Sequence, residues 1–425
     1  MLYRLRCIDK LEHGVRRDEK LLDAGFGDRG GGGPALPAVQ ATAVVQLCDR
    51  VTVAIVSNGF ADGPAQALRD YLVARDVHVV TIFHPLTAEQ GTRHRITVYG
   101  DGGLATERSV RLPLRPPASF VLDPFVPLFP AQVDVWFGFN PLACARGLVA
   151  RSQRRAHRVV LWSVDFVPDR FGPKTLPTRI YDRIDRLCCT RADARVELSE
   201  AARDGRNRRH DLPPESAHAH VVPMGAWIDR VPTTPPNGFL QRRVVFLGHL
   251  VARQGVRTLL EALSTLRDVA ADVIGTGPLE AELREHARRD GLDVTFHGYV
   301  VDHRQVEQLL SRSSVAVAPY AQTDETFTRY ADPGKLKAYL AAGLPIVLTD
   351  VPPNARELEA QAGADVVADD PAGLADAISR ALGSPEEWQL RREAALAYAR
   401  RFDWDVLLGD LLSGLDLNPS AKPAR

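Results

Sequence analysis

Two runs of alternating apolar strand and amphipathic helix, separated by the proline-rich stretch VPTTPPNG at residues 231–238, predict an α/β protein. Its expected architecture is two Rossmann-like domains facing a cleft. A length of 425 residues allows two such domains, each with its own core, and the 45% apolar and 25% charged residues are those of an ordinary globular chain. A third observation is where glycine falls. Asn58-Gly59 and Gly275-Thr276-Gly277 each close an apolar run just before a helix, the position at which open α/β sheets present their ligand sites.

The first run starts at residue 51. VTVAIVS reads as a buried strand closed by Asn58-Gly59, and Asp62-Gly63-Pro64 opens a helix through residues 65–76. A strand at 77–83 completes a βαβ unit, for which a right-handed crossover is expected. Further strands are predicted at 133–137, 158–162 and 220–223, with helices between them. The second run places strands at 244–247, 272–274, 294–296, within SSVAVAPY and at 346–349. Helices fill 255–266, the segment ending at 289, 303–311 and the segment after Asp332. The stretch YARRFDWDVLLGDLL is amphipathic and is expected to return as one helix, residues 397–415, to brace the first domain. The implied division is a first Rossmann-like domain over 48–230, the linker, and a second domain over 239–396. Residues 1–47 and 416–425 are expected to be poorly ordered, because their charge lacks periodicity and Gly30 to Gly33 precede two prolines.

Composition excludes several classes. The formal net charge is zero, so no overall field demands nucleic acid. The charge is uneven: residues 51–230 carry 24 basic and 19 acidic groups (+5), and residues 231–425 carry 21 and 27 (−6). Two arginine groups, RSQRRAHR at 151–158 and RDGRNRRH at 203–210, supply much of the excess. They read either as solvated faces or as a peripheral contact with an anionic lipid surface. Five cysteines without a C-x-x-C pair imply neither a disulfide framework nor a zinc site, and a cytoplasmic location fits. The apolar region 120–150 is broken by Asp123, Asp134 and prolines, so it is not a membrane span.

Chemistry concentrates at residues 318–350. An apolar strand runs into a polar loop, and the loop feeds a helix at Asp332-Pro333-Gly334-Lys335. Unpaired N–H groups and the helix dipole at such a terminus attract anions, and Lys335 adds a full charge there, an arrangement suited to the diphosphate of a nucleotide-sugar. On the local pattern alone, Asp332 equally reads as an N-cap, Pro333 as the first helical residue and Lys335 as a solvated side chain.

With its motifs in order, the chain resembles glycosyltransferases of the GT-B fold, family 4 and the related xanthan glucuronosyltransferase above all. VVFLGHLVARQGVRTLLEAL resembles the segment that opens the donor domain, and VIGTGPLEAEL the glycine loop near the nucleotide base. Pro319-Tyr320 and YADPGKLKAYLAAGLPIVLTD resemble the donor loop, helix and strand. VVPMGAWID resembles the segment that closes the first domain. The resemblance implies that Lys335, Tyr320, Asp332, Gly334, His249, Gly275 and Gly277 contact the donor. It also implies that Gly59 lets backbone approach the donor sugar phosphate. The departures are specific. The Arg and Lys that hold the diphosphate in family 4 are His249 and Gln254 here, and the Glu that holds the ribose is Ala338. The xanthan enzyme resembles this chain in those absences, which leaves Lys335 as the main candidate for the diphosphate charge.

In the first half, LWSVDF ends a predicted strand at the cleft, and Asp165 stands where the xanthan enzyme has the base of an inverting reaction. The alternative roles for Asp165 are an N-cap or a salt bridge to Arg170. The implied function is transfer of a sugar from a nucleotide-sugar donor to a hydroxyl acceptor, which is a polysaccharide, a lipid-linked saccharide or a small natural product. The donor is the substrate; no cofactor and no metal are expected. A degenerate domain that binds nucleotide without transfer, or a nucleotide-sugar epimerase on the same fold, are the competing classes.

Overall fold

The computed structural model describes residues 51–60, 63–100, 103–123, 126, 132–213, 218–322 and 329–417. Of the ends expected to be disordered, 1–47 and 418–425 lie outside the described residues, as does Asp62 at the predicted first helix start. Asp416 and Leu417 are ordered instead, their N–H groups donating to the Ser413 and Leu412 carbonyls.

The first domain comprises β1 (Thr52–Asn58), α1 (Pro64–Val73), β2 (His78–His84), β3 (Arg93–Gly100), β4 (Gly103–Arg111) and β5 (Val133–Gly138). It continues with α2 (Pro141–Ser152), β6 (Ala156–Ser163), α3 (Leu176–Arg191), β7 (Ala194–Glu197), α4 (Glu200–His210) and β8 (Ala219–Val221). The strands form one sheet in the order β4-β3-β2-β1-β5-β6-β7-β8, parallel except at β3 and β4. That antiparallel pair was not read from the sequence, although Asp101-Gly102 between alternating apolar positions is a hairpin signal.

The second domain comprises β9 (Arg243–Leu247), α5 (Val256–Leu263), β10 (Ala270–Ile274), α6 (Glu280–Arg289), β11 (Val294–Gly298), α7 (His303–Ser311) and β12 (Val315–Ala318). After these come α8 (Gly334–Ala341), β13 (Ile346–Thr349), α9 (Ala355–Ala362), β14 (Asp365–Val367) and α10 (Pro371–Ala381). Its sheet order is β11-β10-β9-β12-β13-β14, all parallel. Both sheets are apolar on both faces, as parallel sheets covered by helices must be. Each has a topological switch point, between β1 and β5 and between β9 and β12, where the chain reverses its direction of winding.

The C-terminal segment departs from the single helix expected. It divides into α11 (Pro385–Ala399), a 3-10 turn at Arg400–Phe402, and α12 (Trp404–Gly414). The Asp403 side chain caps α12 by accepting from the Asp405 N–H, so a second helix starts where the pattern alone reads as continuous. Trp404, Leu408, Leu411, Leu412 and Leu415 of this segment are buried against Val53, Tyr71 and Leu72 of the first domain. Each fully buried side chain of this kind contributes about 1.5–3 kcal/mol. The linker is packed: the Thr234 N–H donates to the Ala342 carbonyl, and the residue is fully buried.

Candidate functional site

The loops after β9, β10 and β12 converge at the second switch point, and backbone contact between glycines fuses them. A Cβ on Gly275 would lie 1.9 Å from the Gly248 carbonyl oxygen, and one on Gly255 would lie 1.5 Å from that of Pro319. Both residues also have positive φ, +134° and +65°. Hydrogen bonds from Leu250 N to Thr276 O and from Ala321 N to Arg253 O complete the seam. Gly275 and Gly277 thus shape the loops, since a Cβ on Gly277 would lie 2.3 Å from the Leu250 carbonyl oxygen. Gly255→Ala is expected to destabilise the second domain by about 3 kcal/mol or more, from strain and overlap together, read as a lower denaturation midpoint at unchanged m-value.

Lys335 occupies the centre of these loops. Its ammonium lies 4.3 Å from the Tyr320 ring centre and 4.6 Å from that of Phe246, and it donates to Gln254 Oε1 at 2.5 Å. Part of the residue reaches solvent, but the charge is enclosed by rings and by Gly248, and burial pushes its pKa down to about 7. No carboxylate is paired with it among the described residues. Gln254, where family 4 has Lys, therefore acts through Lys335. Sequence reasoning missed this, along with Phe246 and Gly248, because nothing in the local pattern links positions 81 residues apart. His249 stands half-exposed on the same loop. Tyr320 is buried, and its carbonyl accepts from Thr349 Oγ1 at 2.6 Å, so it serves as a fixed wall under the ammonium.

Two expectations need correction. Asp332 neither caps the helix nor faces an open anion site. Pro333 occupies the cap position, and the Asp332 carboxylate pairs with buried Lys337 and accepts from Met224 N at 2.6 Å. It pins the second domain to the segment that closes the first, and Gly334 packs against the Met224 side chain in the same seam. The second correction concerns Gly59, whose φ of +106° does require glycine. Its N–H, however, donates to the His84 carbonyl at 2.8 Å and is not available to a phosphate.

Asp165 lies beyond the end of β6, mostly buried, with Oδ1 paired to Arg170 as the alternative reading had it. The other oxygen, Oδ2, is buried without a hydrogen-bond partner among the described residues. Beneath the loop, Arg206 donates to Ser163 Oγ and to the Asp165 carbonyl, and pairs with Asp185 and Glu197. The neighbouring Phe166 meets Tyr330 edge-to-face at 5.0 Å, and Ser199 Oγ donates to the Tyr330 carbonyl at 2.9 Å. The Asp165 loop and the loop that leads to Lys335 are thus in contact across the two domains. A separate cavity of about 580 Å3 is lined by Arg243, Asp272 and His297 among others, none of them a residue of this site.

Residues 241–384 match the family model described as glycosyl transferases group 1. The match runs from β9 through α10 and is confined to the second domain. Among curated proteins, the chain is 27% identical over 248 residues to a phosphatidyl-myo-inositol mannosyltransferase of Mycobacterium leprae, covering 56% of this chain and 63% of that protein. It spans 63 to 66% of the length of the curated relatives it matches, less than two thirds. Among solved structures, sucrose-phosphate synthase from Thermosynechococcus elongatus aligns with a TM-score of 0.64 at 16% identity, over 86% of this chain and 99% of that one. Anabaena HepE in complex with UDP-glucose aligns with a TM-score of 0.60 at 16% identity, over 86% and 100%. The architecture that surrounds the matched segment is therefore GT-B.

Proposed function

We propose that this chain transfers a sugar from a nucleoside diphosphate sugar to a hydroxyl acceptor. The observation that carries this reading is Lys335: an ammonium with no carboxylate partner among the described residues, held at the switch point of the domain that matches the group 1 family model. An enclosed cation of this kind gains most from a ligand that brings two phosphate charges. UDP is the first nucleotide to test, since HepE was solved with UDP-glucose. Lys335 and the first N–H groups of α8 hold the diphosphate and stabilise it as leaving group, while Tyr320 and Phe246 keep water from the charge.

Asp165 Oδ2 supplies the lone pair that takes the acceptor proton, while Arg170 fixes the carboxylate from the side and Arg206 holds the backbone carbonyl of Asp165 from below. With UDP-sugar and a broad acceptor panel, the wild type is expected to release UDP only when a hydroxyl acceptor is present. Asp165→Asn should lower kcat by about 10²–10⁴ at unchanged nucleotide affinity. Conversion of the sugar nucleotide without acceptor would replace transfer by epimerisation, and binding without turnover would leave a degenerate domain.

The acceptor side favours a lipid-linked substrate met at a membrane surface. The arginine groups at 151–158 and 203–210 are largely committed: Arg151 pairs with Asp193, Arg203 with Glu200, Arg209 with Asp169 and Asp182, and Arg206 is buried. The exposed stripe is on α3 instead, where Leu176, Ile180 and Leu187 alternate with exposed Arg179, Arg183 and Arg186. Among the described residues no helix is long and apolar enough to cross a membrane, so the contact proposed is peripheral. Sedimentation with phosphatidylglycerol vesicles, but not with phosphatidylcholine vesicles, is the expected result. Changing those three arginines to glutamate should weaken it about 100-fold, at about 1 kcal/mol per basic residue.

A further inference from the structure

His84 ends β2 and His94 lies in β3, and the antiparallel register that pairs Phe83 with Arg95 sets the two histidines opposite each other. Asp123 reaches between them from the segment that follows the hairpin. All three are buried, at 1%, 0% and 5% exposure. His84 Nδ1 and His94 Nδ1 are 2.8 Å apart, and Asp123 Oδ1 lies 3.8 Å from the first and 3.7 Å from the second. Asp123 Oδ1 has no hydrogen-bond partner among the described residues, an unusual state for a carboxylate oxygen enclosed by protein.

A point about 2.0 Å from all three atoms exists at the centre of the triangle these distances define, within the usual zinc–nitrogen and zinc–oxygen range of about 2.0–2.2 Å. From this geometry we infer that His84, His94 and Asp123 form a structural divalent-metal site of the zinc class. Two imidazoles and one carboxylate suit zinc or cobalt over magnesium or calcium, which prefer all-oxygen shells. Binding displaces the proton now shared between the two Nδ1 atoms. It opens their separation from 2.8 Å to about 3.3 Å, the tetrahedral value for two zinc-bound nitrogens, and water fills the fourth position.

The cation would tie β2, β3 and the Asp123 segment to the first switch point. Asn58 Nδ2 donates to Asp123 Oδ2 at 2.9 Å, Asn140 Nδ2 donates to Asn58 Oδ1 at 2.9 Å, and Gly59 N donates to the His84 carbonyl. Through these bonds one ion holds both cleft-facing loops of the first domain. Arg146 is the charge that stands against the site, with Nη1 3.5 Å from His84 Nε2. Without metal, the same residues form a chain of hydrogen bonds from Arg146 through His84 to His94. The proposal is independent of the transferase reading.

The test uses the full chain, stripped with a chelator, reloaded with zinc or cobalt and passed through gel filtration before elemental analysis. The expected result is one metal per chain, a higher melting temperature with zinc, and affinity at least about 100-fold weaker in His94→Gln and in Asp123→Asn. The scale follows from outer partners of metal ligands, which alone are worth about 10–100-fold. A folded wild type that retains no metal overturns the proposal, and so does retention undiminished in both variants. Should the variants fail to fold, the cobalt-loaded wild type decides. The intense visible absorption of a four-coordinate centre supports the site, and the weak absorption of a six-coordinate one overturns it.

Discussion

Replacing Arg206 by leucine is expected to lower stability by about 3–5 kcal/mol, the usual result of removing one partner from a buried ion pair. At about 2–4 °C per kcal/mol for a domain of this size, the melting temperature should fall by about 6–20 °C. Arg206 is 2% exposed and faces Asp185 and Glu197, at 3% and 0% exposure. Leucine fills part of the volume but leaves both carboxylates in a low dielectric with a reduced share of cation. Burial alone would raise the Asp185 carboxyl; Arg206 and His210 outweigh it and hold the group below its ordinary value.

Loss of Arg206 therefore raises the native pKa of Asp185, and the sign follows from linkage. A native carboxyl raised toward or above its unfolded value binds more protons in the folded state, so the variant's deficit should shrink as pH falls from 7 to 5. Chemical denaturation at the two pH values measures this. An equal deficit at both would mean that packing, not charge, dominates. Asp165→Asn should leave the Arg206 network intact, because Arg206 contacts the carbonyl of Asp165 and not its carboxylate.

Lys335→Met is expected to abolish most nucleotide binding while leaving the free protein as stable as wild type or more so. A hydrogen bond to a charged group is worth about 1.5–3 kcal/mol, so UDP affinity should fall about 10- to 150-fold. Desolvation of the ammonium explains the second half: its pKa is pushed down to about 7, and methionine fits between Phe246 and Tyr320 without that penalty. The pH dependence of wild-type binding has a definite sign. Below pH 7 Lys335 is already charged, and the diphosphate binds without proton exchange. Above pH 7 the free site is largely neutral and must take up a proton, so affinity should fall up to tenfold per pH unit. Calorimetry in buffers of different ionisation enthalpy reads the uptake directly. A pH-independent affinity between 7 and 9 would place the diphosphate elsewhere.

Much of the fold was legible because its signals are local. Apolar runs of four to seven residues, the helix opening at Pro64, and turn glycines at 59 and 275 follow from burial and backbone sterics acting within a few residues. They sufficed for the two sheets; on the local pattern Lys335 read equally as an anion ligand or a solvated side chain, and its contacts with Gln254, Tyr320 and Phe246 come from the tertiary structure. Boundaries were less legible where side chains compete for backbone groups. Asp403 starts a new helix inside a continuous amphipathic pattern, and Asp332 leaves the cap to Pro333 because Lys337 and Met224 N hold its carboxylate.

The sequence by itself determined most strands of both sheets, without β3, β4, β7 and β14, together with the glycine positions and the residue types available for chemistry. Tertiary structure decided which of those residues meet. Gln254 with Lys335, Arg206 with the Asp165 loop, and His84 with His94 and Asp123 are separated by 10 to 81 positions. No residue in such a group marks its partner locally. The partnership comes from sheet register and from burial, which makes each polar atom find the nearest one of opposite character once water is excluded.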